Sequence, residues 1–333
     1  MIALARYGDG GNMTSITLDI SVIICAYTED RWDDLVASVE SIQRQQAQPR
    51  EIIVVVDYNP ALLERVRLSL SNVILIENRE ARGLSGARNS GVMVAQGGVI
   101  AFLDDDAVAA PDWLETLYSG YANANVIGVG GAIEPLWPEK RPAWFPNEFD
   151  WVVGCVYRGM PEEPSRVRNF IGANMSFRRE VFENVGNFRL GKVGDRPRPE
   201  ETELCIRAHQ LWPESILLYE PRARVAHTVP VRRTYWRYFL TRCYNEGLGK
   251  AAMVHFVGTN DGLSAEWKYT LNTLPQGIVR GAADVFLRSD LAGFARAGAI
   301  IVGLLVASGG YLAGVVLLFL NDNQANKNPA NPI

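Results

Sequence analysis

The chain has 333 residues, enough for one large α/β domain with an appendage, and its 48% hydrophobic and 21% charged content excludes an intrinsically disordered chain. A formal net charge of −4 gives no global basic field and speaks against a nucleic-acid partner. Cys25, Cys155, Cys205 and Cys243 are scattered with no CxxC pair, which speaks against a disulfide framework or a cysteine zinc site.

Residues 1–19 are Gly-rich and polar, lack an apolar signal core and read as a flexible tail. Residues 20–26 (ISVIICA) form an apolar β-rich run, followed by the polar loop Tyr27-Thr28-Glu29-Asp30. Trp32, Leu35, Val36, Val39 and Ile42 recur at helical spacing. Residues 52–56 predict a second strand ending at Asp57, Pro60 opens a short helix, and 73–76 predict a third strand. A helix is expected over about 85–95, and 99–103 predict the fourth strand. Strands apolar on both faces, alternating with helices, predict a mostly parallel central sheet with helices on both faces. Right-handed crossovers bring all four strand ends to one edge, where ligands bind in open α/β sheets.

That edge collects polar residues. Asp104, Asp105 and Asp106 follow the fourth strand at once. Adjacent carboxylates repel each other and suit a hard divalent cation, with Asp104 and Asp106 reaching one site; a solvated acidic turn is the plain alternative. Gly83 and Gly86 permit a tight turn into a helix whose N–H groups face an anion, and Arg88 adds a forked positive charge, either for a diphosphate or as an ordinary helix charge. The absence of GxGxxG weakens a dinucleotide reading, and the absence of GxxxxGK[ST] removes the P-loop reading. Thr28, Glu29 and Asp57 either contact a base and ribose or cap the next elements.

Further along, 126–132 predict a strand, and 134–150 hold four prolines with Trp137, Trp144 and Phe145, as a ligand-binding loop or a self-packed lid. Residues 170–177 read as a strand interrupted by Asn174, 178–185 as a helix, and 187–199 as a flap. Glu200 and Glu201 open another helix, where acids suit the macrodipole and also provide a general base. His227 ends a short strand, as a structural residue or a ligand. Residues 297–320 carry no charge and are long enough to span a bilayer as a helix, a buried helix or re-entrant hairpin being the alternative. Arg280, Arg288 and Arg296 precede this segment and Lys327 follows it, which predicts that the N-terminal part stays in the cytoplasm.

Taken together, SVIICAYTED, EIIVVVDYN, GLSGARNSGVMVAQGGVIAFLDDDA, PEETELCIRA and AHTVPVRRTYWRYFLTRCYNEGLGK resemble glycosyltransferase family 2, inverting enzymes of GT-A fold, and its membrane-associated bacterial members. The resemblance covers roughly 20–250. It implies that Ala26, Tyr27, Thr28, Glu29 and Asp57 line the base and ribose pocket, that Gly83, Arg88 and Asn89 lie by the pyrophosphate, and that Asp104 and Asp105 contact the donor. It implies Mn²⁺ or Mg²⁺ on Asp106, Asp104 and His227, with Glu201 or its neighbour Glu200 as base. Asn174, Trp137 and Trp144 are expected on the acceptor or sugar side. Three positions depart from the family pattern: Val56 stands where an acid is usual, Glu201 replaces an aspartate, and Ala107 follows the acidic turn.

The resulting expectation is a metal-dependent transferase. It moves sugar from a nucleotide-diphosphate sugar, UDP-sugar favoured, to a glycan or lipid-linked acceptor in envelope glycan synthesis, on the cytoplasmic face of the plasma membrane. A non-catalytic nucleotide-sugar scaffold or sensor is the alternative. The expected division is a tail (1–19), a catalytic domain (20–250, with halves 20–132 and 133–250), an amphipathic helical linker (251–296), a membrane helix (297–320) and a polar tail (321–333).

Overall fold

The computed structural model describes residues 17–190, 192–193, 196–197, 200–257 and 269–327. Most of the N-terminal tail and the last residues of the polar C-terminal tail lie outside them. The chain forms two compact units, the first drawn from residues 17–136, 161–190 and 200–228. Its elements are β1 (Thr17–Ala26), α1 (Trp32–Gln43), β2 (Gln48–Val56), α2 (Pro60–Ser69), β3 (Ile74–Glu77), α3 (Leu84–Val94) and β4 (Val99–Asp104), then β5 (Ala107–Ala109), α4 (Trp113–Ser119) and β6 (Val126–Leu136). After an excursion into the second unit come β7 (Ser165–Arg166), β8 (Asn174–Arg178) and α5 (Arg179–Asn184).

Two short strands, β9 (Lys192–Val193) and β10 (Arg196–Pro197), pair with each other as an antiparallel ribbon. They occupy part of the expected flap, the rest of which from Gly191 onward lies outside the described residues. The first unit closes with α6 (Glu200–Leu211) and β11 (Ile216–Thr228).

The nine-stranded sheet has the order β3-β2-β1-β4-β8-β6-β11-β5, with β7 on β11. β1 pairs in parallel with β2 and β4, and β2 with β3. β8 is antiparallel to both neighbours. The apolar runs of β1, β2 and β4 become fully buried because helices cover both faces. On one face α3 packs so closely that a Cβ on Gly91 would stand 2.7 Å from Ile23 and 3.2 Å from Val55. In register, Ala26 lies beside Val56, Val56 beside Glu77, and Cys25 beside Asp104, so the four parallel strands end on one edge as expected.

Two strands differ from their sequence reading. β8 begins at Asn174, not 170, because Phe170 belongs to the preceding loop and lays its ring over Gly128 and Gly130 of β6. β11 is far longer than the expected fragment at 225–228. A register shift between Glu220 and Arg224 absorbs the Pro221-Arg222 interruption, and Arg222 folds back on Glu220 at 2.8 Å.

The second unit comprises 137–160, the β9–β10 ribbon, 229–257 and 269–327 among the described residues. It holds α7 (Trp236–Val257), a short π-helix at Tyr269–Thr273, α8 (Leu274–Arg288) and α9 (Ala292–Lys327). The boundary expected at 250 therefore falls inside α7, and the apolar helix starts before 297. α9 is long and apolar enough to cross a membrane over Ala292–Leu320. The aromatic loop packs on α7: Trp144 meets Trp236 at 4.8 Å and Phe239 at 5.5 Å, and Phe145 meets Trp137 at 5.3 Å.

Candidate active site

The acidic turn sits where β4 hands over to β5. Ala107, the residue that departs from the family pattern, is buried and opens β5, which pairs antiparallel with β11. The pairing sets His227 opposite Ala107, and the Thr228 N–H donates to the Asp106 carbonyl at 2.8 Å. A histidine 121 positions away is thus delivered to the turn by backbone pairing, with His227 Nε2 at 3.1 Å from Asp106 Oδ1. One ligand atom from each of Asp104, Asp106 and His227 lies within 4.8 Å of the others.

Asp105 points elsewhere. Arg31, at the end of the 3₁₀ turn before α1, stands 2.8 Å from Asp105 Oδ1 and 3.0 Å from Asp106 Oδ2. Burial lifts the Asp105 carboxyl to about 7, against the pull of Arg31. Its other oxygen, Oδ2, is buried and has no hydrogen-bond partner among the described residues. The two carboxylates and the imidazole of the Asp104–Asp106–His227 cluster suit a hard or borderline dication, and Mn²⁺ accepts that mixture of donors. Arg31 escapes sequence reading because nothing in its local pattern marks it. Its partners lie over seventy residues away, and only the parallel pairing of β1 and β4 brings them together.

Arg88 is not a surface charge. It is 2% exposed and donates to the Gly172 carbonyl at 3.0 Å, with Asp104 at 3.3 Å and Glu200 at 3.4 Å. The guanidinium also faces Phe102 and Phe188. Burial opposes its charge, yet Asp104 and Glu200 hold its pKa above the ordinary value. Gly172 leaves room for the guanidinium, since a Cβ there would lie 2.9 Å from Arg88 Nη2. Burial raises the Glu200 carboxyl, with Arg88 acting in the opposite sense and the Ser85 side chain hydrogen-bonded to it. Glu200 is thus committed to the protein, while Glu201, next along α6, is only partly buried.

The remaining candidates divide. Asp57 accepts from Asn78 Nδ2 at 2.6 Å and from the Gly83 N–H at 3.0 Å, so it ties the end of β2 to the turn that starts α3. Gly83 has φ +122°, a backbone conformation L side chains rarely adopt. Ala26 is buried at the end of β1, and Tyr27 is half exposed with Arg31 over its ring at 5.5 Å. Thr28 Oγ1 accepts from the Asp30 N–H at 3.2 Å, and Glu29 pairs with Arg65 at 3.6 Å.

Asn89 bonds the Phe188 backbone, donating to its carbonyl at 2.8 Å and accepting from its N–H at 3.0 Å, and so anchors the loop after α5. Asn174 is also held by the protein's own groups. It is 1% exposed, accepting from Trp113 Nε1 and donating to the carbonyls of Ala132 and Ala223. A buried amide in a strand needs such partners, which is why it interrupts the apolar run. Trp137 and Trp144 are packing residues of the second unit's aromatic cluster, with Arg141 over Trp137 at 5.0 Å.

A mixed sheet whose parallel strands end at an Asp-x-Asp turn, with a histidine and a helix-initial glutamate pair beside it, fits a GT-A sugar-transferring enzyme. The mannosyltransferase PcManGT from Pyrobaculum calidifontis, solved in complex with GDP-Man and Mn²⁺, shares this fold with a TM-score of 0.55 at 16% identity, covering 86% of each chain. Residues 21–186 match the family described as Glycosyl transferase family 2. The chain is 37% identical over 243 residues to the glucosyl-dolichyl phosphate glucuronosyltransferase of Haloferax volcanii, covering 71% of this chain and 77% of that protein. It is 24% identical over 279 residues to the succinoglycan biosynthesis protein ExoM of Rhizobium meliloti, covering 81% and 86%. The chain belongs to glycosyltransferase family 2.

Proposed function

We propose that this glycosyltransferase moves a sugar from a nucleotide-diphosphate sugar, a UDP-sugar first among candidates, to a hydroxyl of a lipid-linked or polysaccharide acceptor, inverting the anomeric centre. The observation that carries the reading is the chain of contacts from the Asp104–Asp106–His227 cluster through Arg88 to Glu200, beside Glu201 at the start of α6. The dolichyl phosphate in the name of the 37% identical relative, and succinoglycan in that of the other, support such acceptors. The uncharged stretch of α9 supports membrane attachment, and the arginines ahead of it favour the cytoplasmic face of the plasma membrane.

Asp104, Asp106 and His227 would hold Mn²⁺ or Mg²⁺, which when bound offsets the charge that grows on a departing nucleotide diphosphate. Glu201 takes the proton from the attacking hydroxyl, since it is the more exposed of the two helix-initial carboxylates while Glu200 is buried. Arg88 keeps Asp104 and the start of α6 in a fixed relation, and Asp57 shapes the turn at Gly83 on the donor side. General-base assistance is worth roughly 10²–10⁴ in rate.

The test is turnover of a panel of nucleotide sugars with Mn²⁺, read as released nucleotide diphosphate and as transfer. Glu201→Gln is expected to lose transfer by about 10²–10⁴-fold while retaining metal-dependent donor binding. Full activity in that variant sinks the base assignment. Absence of any released nucleotide diphosphate across the panel returns the scaffold alternative.

A further inference from the structure

α9 is too uncovered to be the core helix of a soluble unit: 22% of its most apolar window is buried. The covered stripe is made of small residues. Gly303 faces Phe149 and Phe239, Gly310 faces the Tyr244 backbone, and Gly314 faces Leu248 and Ala251. From the other side, Gly247 abuts the backbone of Ala307 and Tyr311. Partners advance in the same direction along both helices, so α7 runs parallel to α9 from about Gly303 to Gly314. That contact covers the middle of the stretch apolar enough to cross a bilayer.

α7 is a poor companion for hydrocarbon. Arg242, Glu246 and Lys250 form an i,i+4 ladder at 3.2 and 3.5 Å, level with the small residues of α9 and partly open to solvent. If α9 spanned the bilayer with these contacts intact, three charged side chains would be carried near its mid-plane, where such groups are costly. The opposite face of α9 has no such conflict. Phe294, Leu305 and Leu312 recur at helical spacing along it, each more than half exposed, and Phe286 of α8 joins Phe294 at 6.2 Å.

α8 and α9 meet tightly, since a Cβ on Gly281 would stand 2.6 Å from the Gly293 carbonyl oxygen. Two arginines of this hairpin are answered by acids, Arg280 by Glu148 at 2.7 Å and Arg296 by Asp284 and Asp290 at 2.9 and 2.7 Å. One side of the unit is therefore apolar and the other charged, the pattern of an element lying in an interface.

We infer that the second unit is monotopic: the α8–α9 hairpin lies in one leaflet with its apolar face in the lipid, α7 on the water side, and both chain ends on the same side of the membrane. The inference rests on the proposed membrane attachment and replaces a spanning anchor with an in-plane one.

The experiment uses the full chain carrying a different protease-sensitive epitope at each end, in sealed inside-out membrane vesicles. Both epitopes are expected to be digested from outside without detergent. One digested and one protected epitope overturns the inference and leaves membrane attachment standing. Recovery of the folded chain in the soluble fraction overturns both. Protection of both epitopes supports the in-plane placement and overturns only the cytoplasmic side.

Discussion

The two units invert the usual distribution of polar and apolar groups in opposite senses. In the first, charged side chains that normally seek water are buried: Arg88, Asp105, Asp106 and Glu200 are each no more than 6% exposed. In the second, large apolar side chains that normally seek a core are uncovered, Phe286 at 77% and Leu312 at 65%. Each inversion is unfavourable in an isolated chain in water. The first is offset by ion pairs and by a carboxylate–imidazole cluster suited to a cation; the second would be offset in lipid under the membrane attachment proposed above. The difference also explains why ion pairs mean different things in the two places. Arg88 bridges two carboxylates at the strand edge of the candidate site. Arg296, answered by Asp284 and Asp290, clamps the turn of a hairpin.

The contrast is most sharply broken at the acidic turn. Asp106→Ala removes a carboxylate shared by the metal cluster and Arg31, and is expected to abolish transfer, as a chelator should in the parent enzyme; both are read by release of nucleotide diphosphate. Normal turnover in the variant under chelation would end the metal assignment.

Next comes Arg88→Met. It leaves Asp104 and Glu200 without their buried counter-charge, and loss of one partner from a buried network is expected to cost about 3–5 kcal/mol, read from denaturant unfolding. An unchanged midpoint would mean that the carboxylates simply protonate or reach water.

The smallest expected effect lies in the second unit. Gly310→Leu places atoms against the Tyr244 backbone, whose carbonyl carbon is 2.9 Å from the position of an added Cβ. Overpacking of this kind costs typically about 1–3 kcal/mol and should lower the melting temperature while sparing donor binding in the first unit. An unaltered melting temperature would show that α7 and α9 are not held together as described.

Much of the nucleotide half of the sheet was legible in advance. Strands buried on both faces appear as unbroken apolar runs, so β1, β2 and β4 stand out, and the parallel crossover rule then brings Asp57, Gly83 and Asp104 to one edge. The antiparallel half was harder. β11 is interrupted by Pro221 and Arg222, and its long middle was invisible until the register shift and the pairing with β6 supplied the missing partners. Phe170 looked like strand because it is apolar, although it fills space over two glycines from a loop. Asn89 and Asn174, assigned to the ligand side by resemblance, each satisfy buried backbone groups, a pairing that no local pattern marks.

By itself the amino-acid order determined the parallel strands, the acidic turn, the glutamate pair opening α6 and the uncharged helix, since each depends on neighbours close in sequence. Only the tertiary structure decided that Arg31 neutralises Asp105 and Asp106, that Arg88 is interior, that His227 meets Asp106, and that a charged helix lies along the apolar one. These pairings join groups tens to hundreds of residues apart. Burial and counter-charge depend on which surfaces meet in space, and local pattern carries no record of that.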